Sequence, residues 1–113
     1  MQNLRNRVQL IGNLGTNPEI ITTESGKKLA KLTLATNESF KNAQGELVKD
    51  TQWHNVIAWG KQADVAESYL EKGKEVCVEG KLTHRSYDDK NGNKRYITEV
   101  VCNEILMLGK KSA

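Results

Sequence analysis

The sequence predicts an all-β domain, built as a small closed barrel with one helix. Two observations indicate this fold class. Short segments of β-compatible residues recur between turn signals such as Ser25-Gly26 and Asn91-Gly92, which are typical of strands joined by tight turns. Helical spacing of apolar residues stands out in one segment, at 62–73. Four or five strands with alternating faces, and a helix between the third and the fourth, favour a small barrel.

The first half of the chain is predicted to contain three strands, each ended by turn-forming residues. Gly12 and Gly15 close the first strand, and Gly45 lies at a later loop tip. Glycine favours these places because it adopts turn conformations without steric cost. The predicted pieces are a strand at 8–11, a short extended piece at 20–23, a strand at 29–36, and a strand that Val48 enters after the loop at 42–46.

The second half is predicted to contain the helix and two long strands. Segment 62–73 ends at Gly73, a common helix stop. A strand at 76–87 is expected to be broken or bulged at Gly80, and a hairpin at Asn91-Gly92 leads into a last strand at 96–108. The residues at helical spacing are Val65, Ala66, Tyr69 and Leu70.

Length and composition are those of one ordinary domain, predicted to span residues 1–113. The net charge of +3, from 17 basic and 14 acidic residues, permits an anionic partner without requiring one. No apolar run approaches the ~18 residues of a membrane span, and the amino terminus lacks a secretion signal. These features predict a cytoplasmic protein. Cys77 and Cys102 lie inside probable strands and are expected to be reduced packing thiols.

The segment 51–59 contains two tryptophans on one face of a predicted strand. Trp53 and Trp59 are six residues apart, so strand alternation points them the same way. A barrel has one dry interior, so one face must look outward. The tryptophans could belong to the core, but polar Thr51 and Asn55 on their face disfavour that alternative. The opposite face carries His54, Val56 and Ala58.

Two more aromatic residues, Phe40 and Tyr87, lie beside basic or turn-forming residues. With Trp53 and Trp59 they are predicted to lie across one open sheet. Flat rings on an outward face, with lysine and arginine nearby, suit unstacked nucleic-acid bases, since every base has a π-face and every nucleotide has a phosphate. The sequence therefore indicates a platform for a single-stranded nucleic acid.

Catalytic and metal-binding patterns are absent from the sequence. It contains no Gly-x-Ser-x-Gly elbow and no phosphate-binding loop with the required glycine spacing. His54 and His84 stand alone, and the cysteines do not form a Cys-x-x-Cys pair. We therefore predict a protein that is not an enzyme, with no catalytic residues, no metal site and no cofactor.

Several stretches, in order and spacing, resemble bacterial-type single-stranded DNA-binding proteins from about Leu4 to Gly109. The resemblance implies a five-stranded Greek-key OB-fold barrel with one short helix between strands 3 and 4. It also implies a homotetramer that binds single-stranded DNA without sequence preference in replication, recombination and repair, in the cytoplasm with the nucleoid. The stretches are 8–15, Asn17-Pro18-Glu19, 34–40, Trp53-His54-Asn55-Val56, Trp59-Gly60-Lys61, 66–73, 78–82 and 95–100.

The resemblance also implies roles for individual residues. Phe40 and Tyr87 stand where the commonest bacterial pattern has tryptophan, so weaker stacking is expected at both. His54 corresponds to a position near a subunit contact. The base-stacking positions are Phe40, Trp53, Trp59 and Tyr87, and the positions that meet phosphate are Arg7, Lys61, Lys81 and Arg85, with Lys41, Lys72 and Arg95 as weaker candidates.

Bacterial members of this family usually continue into a glycine- and glutamine-rich linker that ends in acidic residues and Pro-Phe. This chain stops at Lys111-Ser112-Ala113, so we expect the acidic tail to be absent, by truncation or as in tailless mitochondrial relatives. The family recruits replication and repair proteins through that tail, so the partnership that the resemblance implies depends on the presence of the tail. Three rivals stay open: an RNA-binding OB domain or dimeric primosomal relative, an OB-fold nuclease, and a protein-interaction subunit.

Overall fold

The computed structural model describes residues 4–108, which form six β-strands and one α-helix. The basic end at Lys110-Lys111 and the predicted absence of an acidic tail after it lie outside the described residues. The elements are β1 Val8–Leu14, β2 Glu19–Thr22, β3 Lys28–Lys41, β4 Leu47–Trp59, α1 Lys61–Tyr69, β5 Glu75–Asp88 and β6 Lys94–Met107.

Five of these strands close into a barrel. The sheet runs β1-β5-β6-β4-β3, and β3 pairs with β1 to complete the ring. Pairing is antiparallel except between β4 and β6, and the short β2 pairs with β3 on the same edge as β1, at residues 28–31. Helix α1 joins the third and fourth barrel strands, β4 and β5. This arrangement confirms the predicted five-stranded barrel with one helix.

Strands β3 and β4 extend further than predicted and form a long hairpin. Beyond Ala35, β3 pairs with β4 alone, through to Lys41 opposite Leu47. The prediction ended this strand at residue 36 because the polar residues that follow, Asn37 to Ser39, have low β-propensity. Cross-strand pairing keeps them extended: the Thr51 hydroxyl donates a 2.7 Å hydrogen bond to the side-chain oxygen of Asn37.

The helix is shorter than predicted and turns a different face to the barrel. It ends at Tyr69 because Leu70 is already extended, with φ −100° and ψ 143°. Ala63 and Ala66 are buried together with Leu70, whereas Tyr69 is 61% exposed. Small alanines let the helix approach the barrel closely. The sequence pattern was therefore wrong about Tyr69, which points to solvent.

The core lies between the inner faces of the barrel strands and α1. Val56 and Ala58 are fully buried on β4, so the tryptophans on the opposite face are not core residues. Both cysteines are free thiols, as predicted, and burial raises the pKa of Cys102 to about 11. The buried cluster comprises Leu14, Ala30, Leu32, Leu34, Val56, Ala58, Ala63, Ala66, Leu70, Val76, Val78, Val100 and Cys102.

A bulge occurs where the sequence predicted it, at Gly80. Glu79 pairs with Glu104 and Gly80 with Cys102, so the extra residue, Asn103, lies on β6 and not on β5. A Cβ at Gly80 would overlap with the Val101 carbonyl oxygen, so only glycine permits this close approach of the two strands. Because bulges increase local bending, a bend of the β5–β6 hairpin is expected at this point.

Candidate functional site

One continuous surface, which we call the outer sheet face, lies on the side of β3, β4, β6 and β5 opposite to the core. It consists of alternate residues, since paired residues on neighbouring strands point to the same side. From the strand registers its members are Leu29, Lys31, Thr33 and Ala35; Trp53, Asn55, Ile57 and Trp59; Arg95, Ile97, Glu99 and Val101; and Lys81, Thr83, Arg85 and Tyr87.

Three aromatic rings lie on the outer sheet face. Trp53, Trp59 and Tyr87 are 61%, 41% and 48% exposed. The tryptophans are six residues apart on β4 and therefore about 20 Å apart along the strand. Trp53 leans on Gly15, where a Cβ would overlap with the indole ring. Large exposed rings on a rigid sheet can accept planar aromatic ligands with little loss of entropy.

Phe40 lies on the other face of the β3–β4 hairpin. It pairs with Val48, one residue out of phase with the Ala35–Trp53 pair, and strand alternation therefore turns its ring away from the tryptophans. The ring is half exposed because this part of the hairpin extends beyond the barrel. Phe40 belongs to the same sheet, but the prediction that all four rings share one outward face is wrong for it. A ligand that wraps the hairpin would reach both faces.

The four predicted phosphate-contacting cations differ in their surroundings. Lys61 begins α1 and Lys81 lies on the outer sheet face; both are exposed, and neither forms an ion pair within residues 4–108. Arg7 lies 3.0 Å from the Glu79 carboxylate, on the β1 side of the barrel. Among the weaker candidates, Arg95 is bound to Asp89 at 2.9 Å.

Arg85 forms the best-defined ion pair of the outer sheet face. Its Nε donates to Oε1 of Glu99 at 2.8 Å, and Nη2 donates to Oε2 at 3.2 Å. Glu99 is only 5% exposed, whereas the Arg85 side chain is half exposed. The hydrogen bond to Glu99 and the negative charge of that carboxylate raise the pKa of Arg85. The guanidinium is therefore held in one orientation by a buried carboxylate.

His54 lies on the inner side of β4, at the edge of the core. It is half-buried, and its Nε2 is 2.9 Å from the Thr36 hydroxyl. Its predicted part in a subunit contact stays a prediction. Within residues 4–108 no group of three or more metal-ligating side chains comes together, and none of the helices there is long and apolar enough to cross a membrane.

Sequence reasoning missed Gly15 and Glu99 as residues of this surface. Glu99 carries a signal that could have been used: it is the one charged residue in the segment 96–102 of β6. With the turn placed at Asn91-Gly92, the hairpin register brings Glu99 diagonally beside Arg85. Gly15 carries no such signal, because its contact with the Trp53 ring joins segments far apart in the chain.

The chain is similar to known proteins in both sequence and structure. A protein of Chlorobaculum tepidum named single-stranded DNA-binding protein 1 is 50% identical over 109 residues, which are 96% of this chain and 67% of that protein. A structure of the Plasmodium falciparum SSB complex with ssDNA superposes with a TM-score of 0.86 at 30% identity, covering 96% of this chain and 99% of that one.

A second structure, of a single-stranded DNA-binding protein from Thermus aquaticus, has a TM-score of 0.80 and 31% identity. The match covers 92% of this chain and 50% of that one. The model of the single-strand binding protein family matches residues 5–108, nearly the whole chain. The fold, the sequence identity and the family match agree, and the chain belongs to the single-strand binding protein family.

Proposed function

We propose that this chain binds single-stranded DNA without sequence preference, by stacking bases on its aromatic rings and pairing phosphates with its cations. The observation that carries the proposal is the exposure of Trp53, Trp59 and Tyr87 on one sheet face, with Lys81 beside them. Family membership and the likeness to an SSB complex with ssDNA support it. Family membership also supports a binding protein and not an enzyme.

This arrangement favours single strands over duplexes. Stacking requires a free base face, which a paired and stacked duplex does not offer, whereas every unpaired base offers one. Bound strand cannot re-anneal, so we propose protection of single-stranded DNA during replication, recombination and repair. The site of action would be the cytoplasm, with the nucleoid. Phe40 is proposed to stack a base on the second face of the hairpin, with Arg7 and Lys61 contacting phosphate.

We further propose that the chain assembles with copies of itself, as a homotetramer. Ile11, Cys77 and Leu106 are matched across β1, β5 and β6 on the outside of the barrel, and Ile11 and Leu106 are more than half exposed. A contiguous exposed apolar group of this kind is typical of an interface. His54 is proposed to contact a neighbouring subunit. Repeated binding surfaces in one assembly would increase the total contact with a long strand.

A fluorescence titration tests the proposed function. Oligo-dT should quench the intrinsic tryptophan fluorescence because Trp53 and Trp59 are exposed on the binding face. The apparent affinity should fall linearly with salt on a log–log scale, and duplex of equal length should cause little quenching. Oligo-U of equal length and a cleavage assay with Mg²⁺ test the RNA-binding and nuclease alternatives. Absence of quenching by oligo-dT in a folded protein would contradict the proposal.

Gly15→Ala should weaken this binding by displacing the Trp53 ring. The added methyl group would overlap with the indole, so the Trp53 ring must move away from residue 15. The barrel core is not affected. We expect a several-fold loss of oligo-dT affinity with a similar melting temperature. The control is the double-mutant cycle with Trp53→Ala: once the ring is gone, Gly15→Ala should have no further effect. An equal loss of affinity in both backgrounds would show that the contact between Gly15 and the Trp53 ring does not contribute to binding.

A further inference from the structure

The pair formed by Arg85 and Glu99 lines a recess in the outer sheet face. The recess has a volume of about 270 Å³ and lies along β4 between the two tryptophans, where Asn55 and Ile57 contribute to it. A second depression, which reaches Trp59, shares Arg85 and Glu99 with the first. The pair therefore contributes to both hollows in which a ligand on this face would rest.

The charges around the first recess cancel. Four charged residues line it: Arg85 and Lys31 are positive, and Glu99 and Glu19 are negative. A phosphate group needs a local excess of positive charge, and this recess has none. The remaining lining is polar or aliphatic, with Thr33, Asn55 and Ile97 among it. Such a mixture suits an uncharged planar group with hydrogen-bonding edges.

Arg85 itself is poorly suited to act as a counter-charge for phosphate. Nε and Nη2 of Arg85 both donate hydrogen bonds to the buried Glu99 carboxylate. This ion pair neutralises the charge of the guanidinium and fixes the orientation of its plane. Its Nη1 group and its planar face are not used by Glu99. A guanidinium held flat in this way can stack on a base or donate to a base edge.

We propose that the recess above the Arg85–Glu99 pair is a nucleobase subsite, in which Arg85 contacts a base and not a phosphate. Glu99 is then a positioning residue: it fixes the orientation of the guanidinium and neutralises its positive charge. Arg85 therefore does not count among the cations that pair with phosphate. This inference rests on the proposed binding of single-stranded DNA and refines it. It also changes the role that the family resemblance implied for Arg85.

The salt dependence of binding separates a base contact from a phosphate contact. Each phosphate paired with a cation contributes about 0.7 to the slope of log affinity against log salt for a single strand. The variants are Lys81→Gln, Glu99→Gln and the double variant Arg85→Gln with Glu99→Gln. Each is titrated with an oligo-dT of about ten residues, within the site size of one OB-fold, and its melting temperature is compared with that of the parent protein.

Lys81→Gln should lower the slope by about 0.7, because Lys81 is an exposed cation without an ion pair in the described part of the chain. Glu99→Gln should raise the slope by about 0.7, since it releases Arg85 to pair with phosphate. The double variant removes one charge of each sign. It should keep the parent slope and bind several-fold more weakly at every salt concentration.

A double variant whose slope falls as far as that of Lys81→Gln would overturn the proposal, since Arg85 would then be paired with phosphate. The same conclusion follows if its affinity is unchanged. The double variant carries the test alone if Glu99→Gln fails to fold, because it leaves no unpaired charge in the recess. Failure of the parent protein to bind oligo-dT would instead contradict the proposed function.

Discussion

Replacing Trp53 with alanine is expected to weaken binding of oligo-dT by about 5- to 150-fold, since one base–aromatic stack contributes roughly 1 to 3 kcal/mol. Trp53 is the most exposed of the three rings on the outer sheet face and offers the largest kind of aromatic surface. Its ring also rests on Gly15, so little freedom is lost when a base stacks on it. Both features place its effect above that of Tyr87.

The matched control is Tyr69→Ala. Tyr69 is exposed to the same extent as Trp53, 61%, but lies on α1 and not on the outer sheet face. Its removal should leave the affinity unchanged, so the pair of variants separates the position of a ring from its mere exposure. Both variants should melt close to the parent protein, because neither side chain belongs to the core. Equal affinities for Trp53→Ala and the parent protein would contradict stacking at this position.

The fold was predictable because its local signals are strong and agree with one another. Asn91-Gly92 sets the turn of the last hairpin, and the alternation at 51–59 separates Trp53 and Trp59 from the buried Val56 and Ala58. The length of the β3–β4 hairpin was not predictable from these signals. Its outer part is polar on both faces and is held by cross-strand pairing, which propensity within one strand does not report.

The candidate site was predictable only in part, for a similar reason. Alternation along one strand placed Trp53 and Trp59 correctly, but the relation of Phe40 to them depends on the register between two strands. The partners of Arg7 and Arg85 depend on register as well. A basic residue identified from sequence as a phosphate contact can thus form an ion pair with a buried carboxylate, as Arg85 does with Glu99, and on that ground we propose a different role for it.

Leu34→Ala is expected to cause the largest loss of stability among single substitutions in the core, about 3 to 5 kcal/mol. Leu34 is the largest of the fully buried side chains, ahead of Val56, Val76 and Val78. Four alanines make up much of the remaining cluster, and such small side chains cannot move in to fill a cavity. Hydrogen-bonded strands surround the site, so the barrel wall cannot collapse into it either.

Urea denaturation at one fixed protein concentration measures this loss, because self-association would make stability depend on concentration. Leu47→Ala is the control: Leu47 is 68% exposed at the end of the β3–β4 hairpin, and its removal should change the free energy of unfolding by less than about 0.5 kcal/mol. A cost below about 1 kcal/mol for Leu34→Ala would mean that the barrel interior can relax around the lost side chain.

Leu34 lies on the opposite side of β3 from the outer sheet face, so the folded variant should still bind oligo-dT with the affinity of the parent protein. Loss of stability without loss of affinity would then separate the core that maintains the barrel from the surface that we propose to contact DNA.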